Sequence, residues 1–151
     1  MILVIGGQAQ GKREYLRQTL GLSGEQIGDC ASLPFSDLPS YPGWYKLNDL
    51  VARLLQQFPP QQVPDQVLHL ALQGDFSRRV IVCDEVGCGI VPIEKTQREY
   101  RETVGRCCCA LVPYTQQVVR IFCTIPTVLR SVSAAVEPSE RIVSRHGKGE
   151  S

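Results

Sequence analysis

Three short stretches, apolar through their middles and rich in branched residues, recur along the chain: Met1 to Ile5 (MILVI), Arg79 to Asp84 (RVIVCD) and Val118 to Cys123 (VVRIFC). Runs of this kind, without polar alternation, read as strands buried on both faces of a parallel sheet. Between them the apolar positions change to helical spacing. Tyr15, Leu16 and Leu20 mark a helix over Lys12 to Leu20, with Gly21 as its stop. Leu47, Leu50, Val51, Leu54 and Phe58 mark another from Trp44, ended by Pro59-Pro60. A third starts near Pro64 and Asp65, buries Val67, Leu70 and Ala71, and ends at Gly74. Thr96 is the predicted N-cap of a fourth, whose apolar face runs Tyr100, Val104, Cys107, Cys108 and Leu111. Thr127 to Leu129 offers a fourth strand. Leu22 to Gly43 has no sustained period and reads as loop, with a short strand or turn near Asp29. Strands alternating with helices predict an α/β domain over residues 1–131, its sheet largely parallel, and a flexible C-terminal tail over 132–151.

Composition narrows the function classes. Sixteen Lys and Arg against fifteen Asp and Glu give the 151 residues a formal charge of +1. No broad basic field is left to grip nucleic acid. The apolar runs are too short for a membrane span, and no basic segment followed by a long apolar stretch opens the chain, so a cytoplasmic protein is expected. Seven cysteines suggest a disulfide scaffold at first sight, yet the number is odd and Cys107, Cys108 and Cys109 are adjacent. Paired C-x2-C motifs for zinc are absent as well. Reduced, mostly structural thiols are expected, with Cys83 and Cys123 as small buried hydrophobes.

The decisive local feature is Gly6-Gly7-Gln8-Ala9-Gln10-Gly11-Lys12-Arg13, placed between an apolar strand and a helix. It fits G-x4-G-K, the body of a phosphate-binding P-loop, a pattern expected by chance about 0.04 times in a chain this size. Glycines let the backbone curl so that its N–H groups converge on an anion, and Lys12 reaches the outer phosphates as a point charge. The plainer reading is a glycine turn joining a strand to a helix. Arg13 departs from the motif, because a Ser or Thr there normally binds the magnesium that bridges the phosphates. A guanidinium cannot ligate a cation, although its planar fork suits phosphate itself.

A longer signature follows the second strand: Asp84-Glu85-Val86-Gly87-Cys88-Gly89-Ile90-Val91-Pro92, then Arg98-Glu99-Tyr100-Arg101-Glu102 and Gly105-Arg106. Together with the MILVIGG opening, it resembles the adenosylcobinamide kinase / adenosylcobinamide-phosphate guanylyltransferase family of cobalamin biosynthesis. The likeness is close over Met1 to Lys12 and Val80 to about Leu129, and poor between. It implies a P-loop NTPase-like α/β fold, GTP or ATP with Mg2+ as cofactors, adenosylcobinamide or a related corrinoid as partner, and a homo-oligomer. Gly6 to Lys12 are then expected to hold the nucleotide phosphates, and Glu85 or Asp84 to organise a metal-bound water or the substrate hydroxyl. A strand-end cap is the plainer role for those two acids. For Arg98, Arg101 and Arg106, the spacings Glu94 to Arg98 and Glu102 to Arg106 favour a solvated helix face or a subunit contact.

The family's guanylyl transfer proceeds through a histidine in an Arg-rich stretch shortly before a Trp. Residues 36–43 before Trp44 contain neither His nor Arg, and the two histidines stand elsewhere, at His69 and His146. Asn48 carries no charge for base work and is expected to face solvent or a hydrogen-bond partner. The sequence therefore predicts an adenosylcobinamide kinase-like protein without support for the guanylyl step. A nucleotide- or corrinoid-binding protein without turnover, or a structural subunit, are the alternatives.

Overall fold

The computed structural model describes residues 1–132, so the tail expected over 132–151 lies, past Val132, outside the described residues. The elements run β1 (Ile2–Gly6), α1 (Lys12–Gln18), β2 (Ile27–Asp29), β3 (Gly43–Tyr45), α2 (Leu47–Leu54), α3 (Val63–Ala71), β4 (Val80–Asp84), α4 (Lys95–Leu111), β5 (Gln117–Phe122) and β6 (Ile125–Ser131). They build one six-stranded sheet in the order β2-β3-β4-β1-β5-β6. The three apolar runs of the sequence become β4, β1 and β5, the adjacent central strands, and all pair in parallel. Only β6 is antiparallel, returning along β5.

Side chains alternate across the sheet, as the two-residue period of a strand requires. Leu3, Ile81, Cys83 and Val118 point to one face, where α2, α3 and α4 cover them with Leu47, Leu50, Val51, Val67, Ala71, Val104, Cys107 and Leu111. Val4, Val82, Val119 and Ile121 point to the other, where α1 brings Leu16. Both faces of the central strands are covered, which is why their sequences carry no polar alternation.

Several boundaries differ from the sequence reading. Trp44 belongs to a strand and not to the start of a helix: Gly43–Tyr45 pairs with β2 and with Val80 and Ile81 of β4. The helix waits until Leu47 because Lys46 sits in the left-handed region at φ 64°. The long helix is capped by Glu94 in extended conformation, two residues before Thr96. The last strand is longer than Thr127 to Leu129 and begins right after a two-residue turn, Cys123-Thr124, with both residues at positive φ. That turn exposes Cys123, so it is not the buried hydrophobe its apolar neighbours suggested. All seven cysteines are free, and burial pushes the Cys30 and Cys107 thiols up to about 12, leaving them neutral at ordinary pH.

Arg79 precedes β4 and is a buried structural cation. Its guanidinium donates to the carbonyls of Ala71 (2.5 Å), Gln73 (2.9 Å) and Pro39 (2.6 Å) and lies 5.2 Å from the centre of the Trp44 ring. One side chain thereby ties the end of α3, the loop before β3 and the sheet together. Trp44, fully buried, donates its indole N–H to Leu38 O at 2.8 Å.

Candidate functional site

In an open α/β sheet, ligands bind outside the carboxyl ends of strands whose following helices leave on opposite faces. Here β1 is followed by α1 on one face and β4 by α4 on the other, and the two strands are neighbours with Gly6 opposite Asp84. The crevice between these ends holds the glycine loop and the acidic pair.

The loop is braced by the β5–β6 hairpin. Gly6 runs so close to β5 that a Cβ there would stand 2.5 Å from Ile121 O. Gly11, at φ 93°, would bring a Cβ to 3.0 Å from Thr124 Cγ2. Between them, Gln10 Oε1 accepts from the Cys123 N–H (2.6 Å) and Gln10 O from the Thr124 N–H (2.9 Å). The sequence reading missed this contact, for which Gln10 and the turn are separated by more than a hundred residues.

Lys12, at the C-terminal end of the loop, is 2% exposed. Its ammonium sits 2.7 Å from Asp84 Oδ1 and donates to Gly7 O at 2.5 Å. The lysine is thus folded back across the loop mouth onto the acid of the neighbouring strand. Asp84 is itself held from behind: its backbone N–H donates to Asn48 Oδ1 at 3.1 Å. Asn48 is buried on α2 and meets a hydrogen-bond partner and not solvent. Tyr100 of α4 donates to Asn48 O at 3.3 Å, and burial pushes its hydroxyl above the usual tyrosine range.

Glu85 is brought to the same crevice, its N–H donating to Gly6 O at 2.9 Å. Its carboxylate takes a two-pronged contact from Arg120 of β5, Nε to Oε1 at 2.8 Å and Nη2 to Oε2 at 3.0 Å. Fork-to-carboxylate pairing of this kind fixes orientation as well as charge. Arg120 stands inside an apolar run and gave no local signal of a role. Arg13 faces away from this pair: its guanidinium lies 5.5 Å from the centre of the Tyr45 ring.

The segment from Glu85 to Glu94 is built differently. Ile90 and Ile93 are 92% and 95% exposed, and nothing approaches the Cβ positions of Gly87 or Gly89. Arg98 donates to Pro92 O (3.0 Å) and to Ile93 O, and Arg101 to Ile90 O (2.9 Å). These two arginines therefore hold the loop's carbonyls and do not simply decorate α4; the Glu94–Arg98 pair expected from spacing does not form. Arg106 does pair with Glu102, at 2.5 Å. Loop and helix enclose an open cavity of about 350 Å3, lined by Gly87, Gly89, Val91, Pro92, Arg98, Arg101 and Glu102.

No cluster of three or more His, Cys, Asp or Glu able to cage a metal ion occurs among the described residues. Magnesium does not need one, because it retains waters and binds through one or two carboxylates together with substrate phosphates. The crevice offers the carboxylate of Asp84, now engaged by Lys12, and position 13, an arginine, offers no hydroxyl. Of the histidines, His69 is exposed on α3, and His146 lies outside the described residues. No described helix is long and apolar enough to cross a membrane.

A mostly parallel sheet whose first strand runs through a glycine loop into a lysine, opposed by an acid on the adjacent strand, defines a P-loop-type α/β protein. Residues 47–129, more than half of the chain, match the family described as cobinamide kinase / cobinamide phosphate guanyltransferase. The chain belongs to that family, as the resemblance of its motifs implied, and with it to cobalamin biosynthesis. The matched stretch runs from α2 into β6 and includes Asp84, Glu85 and Arg120, while the glycine loop precedes it. No curated protein matches the chain.

Proposed function

We propose that the protein is an adenosylcobinamide kinase-like enzyme that binds GTP or ATP at Gly6, Gly7, Gln8, Ala9, Gln10, Gly11 and Lys12, and transfers the terminal phosphoryl group to the corrinoid's hydroxyl. The observation that carries this reading is the Lys12–Asp84 contact at 2.7 Å across the crevice between β1 and β4. An ammonium this buried is stabilised by a carboxylate until a stronger anion arrives. Nucleotide phosphates would take over that partnership, and Lys12 would then neutralise charge on the transferred group while the loop amides cradle it. Asp84, released, becomes the group to hold a nucleotide-bound Mg2+, which would supply Lewis-acid neutralisation of the phosphates. It is equally placed to orient the attacking hydroxyl. Glu85 contributes through its pairing with Arg120, which sets a fixed charge pattern at the crevice edge.

The exposed Ile90, Val91 and Ile93 support a homo-oligomer, in which a second copy covers this apolar loop beside the site. The guanylyl step forms no part of the proposal, because no histidine reaches the crevice among the described residues.

Phosphorylated cobinamide formed from cobinamide, Mg2+ and GTP or ATP is the expected product, and Lys12→Ala should abolish it together with the nucleotide-induced rise in thermal midpoint. Nucleotide stabilisation without product would leave a binding protein; an unchanged shift in Lys12→Ala would remove the P-loop assignment altogether.

A further inference from the structure

Beside the crevice, at the carboxyl ends of β2 and β3, lies a smaller cavity of about 140 Å3 lined by Arg13, Ile27, Asp29, Tyr45 and Lys46. We propose that this is a second anion subsite, in which Arg13 and Lys46 take one phosphoryl group of a phosphate ester next to the P-loop.

Charge comes first. Both cations lie against the Tyr45 ring, Arg13 at 5.5 Å and Lys46 at 6.0 Å from its centre, and both line the same small cavity. Like charges gathered this way repel unless an anion joins them. Asp29, the carboxylate in the lining, is turned onto its own chain: Oδ1 accepts from the Ala31 N–H at 2.9 Å and Oδ2 from the Ser32 hydroxyl at 3.3 Å. Asp49 reaches Lys46 only at 4.0 Å, on an exposed helix turn where such pairs contribute little. Arg13 has no ion-pair partner among the described residues.

Backbone conformation supplies an independent sign. Lys46 occupies the left-handed region at φ 64°, where a glycine would be free of strain and a lysine is not. Its side chain stays more than a third exposed at the cavity. Strained backbone of this kind clusters at ligand sites, and here it falls on a residue that lines the cavity. Size then selects the ligand class: the cavity is well below the roughly 300 Å3 at which pockets for drug-sized molecules begin, so it admits a phosphoryl group and leaves the rest of the molecule outside. Arg13 would bind it with its planar fork and Lys46 as a point charge. Position 13, which departs from the usual P-loop residue, thereby gains a role of its own.

The test is a titration of the full chain with inorganic pyrophosphate, followed by calorimetry and 31P NMR, in wild type, Lys12→Ala, Arg13→Gln and Lys46→Gly. Two sites per chain are expected in wild type; Arg13→Gln and Lys46→Gly should each weaken one of them at least tenfold, and Lys12→Ala the other. Lys46→Gly should also keep or raise the thermal midpoint. A single site lost in Lys12→Ala and untouched by the other two variants overturns the subsite and leaves the P-loop reading intact. A site lost only in the Arg13 and Lys46 variants keeps the subsite and removes the P-loop. A lowered midpoint in Lys46→Gly with pyrophosphate affinity unchanged also overturns it, assigning the side chain to packing. Saturating GTP separates the sources of the phosphate: continued pyrophosphate binding at the second site points to a second phosphate ester, and its displacement to the nucleotide's own phosphates.

Discussion

Two loops meet at the crevice, and they are held in opposite ways. The glycine loop, residues 6–12, is clamped by backbone: Ile121 O stands against Gly6, Thr124 against Gly11, and the hairpin turn donates twice to Gln10. The loop that follows β4 is held at its carbonyls by Arg98 and Arg101, and its apolar side chains stand almost wholly in solvent. A loop that must present several N–H groups to a phosphate needs its shape before the ligand comes, because disorder there would be lost again on binding. A loop that meets a large partner or another subunit can leave its apolar surface open until contact. The contrast separates a region packed within the chain from one whose apolar side chains the chain itself leaves uncovered.

Lys12→Ala breaks the packed side most severely. Nucleotide affinity should fall about a hundredfold, in line with the roughly 3 kcal/mol carried by charge-assisted contacts, and Asp84 should lose its partner. Isothermal titration with GTP and ATP reads the first effect, and denaturant melts read the second. Gly6→Ala should follow, destabilising the fold by about 3 kcal/mol as β1 and β5 are forced apart by the new methyl group. A chemical denaturation midpoint within error of wild type would show that the close approach yields without strain. Gln10→Ala should cost about 1 kcal/mol, because the Cys123 N–H loses its acceptor, and should weaken nucleotide binding several-fold. Equal affinity in this variant would mean that the hairpin braces the fold and not the loop. Smallest in stability is Ile90→Ser with Ile93→Ser: the isolated chain should change by less than about 0.5 kcal/mol, while its apparent mass by light scattering falls toward one copy. A large loss of stability with the mass unchanged would place those side chains inside the monomer's own packing.

Much of the architecture was legible because it depends on local pattern. Central strands covered on both faces produce continuous apolar runs, and MILVI, VIVC and VVRIF mark β1, β4 and β5 without further information. The glycine loop was readable because its spacing is contiguous. β2 and β3 were not, since three residues are too few to display a period, and Trp44 lies in register with the helical spacing that starts at Leu47. Only the left-handed turn at Lys46, which the sequence does not advertise, separates strand from helix. Arg79 read as the first strand residue because its three carbonyl acceptors, two on the preceding α3 end and one at Pro39, leave no mark on the local apolar pattern. At the candidate site, Lys12 and Asp84 stand in motifs contiguous in the sequence, whereas the contacts of Arg120, Asn48 and the Gln10 brace are products of pairing between strands and helices far apart in the chain.

The hairpin brace also says something about order in time. The glycine loop and its partners at Ile121, Cys123 and Thr124 stand more than a hundred residues apart in the sequence. Such a distant closure is slow to find, because chain entropy must be lost before the contact forms. Until the far hairpin folds onto it, the glycine segment therefore lacks the contacts that fix its shape in the folded chain. A glycine loop in its folded shape thereby marks a sheet that has closed as far as β5 and β6.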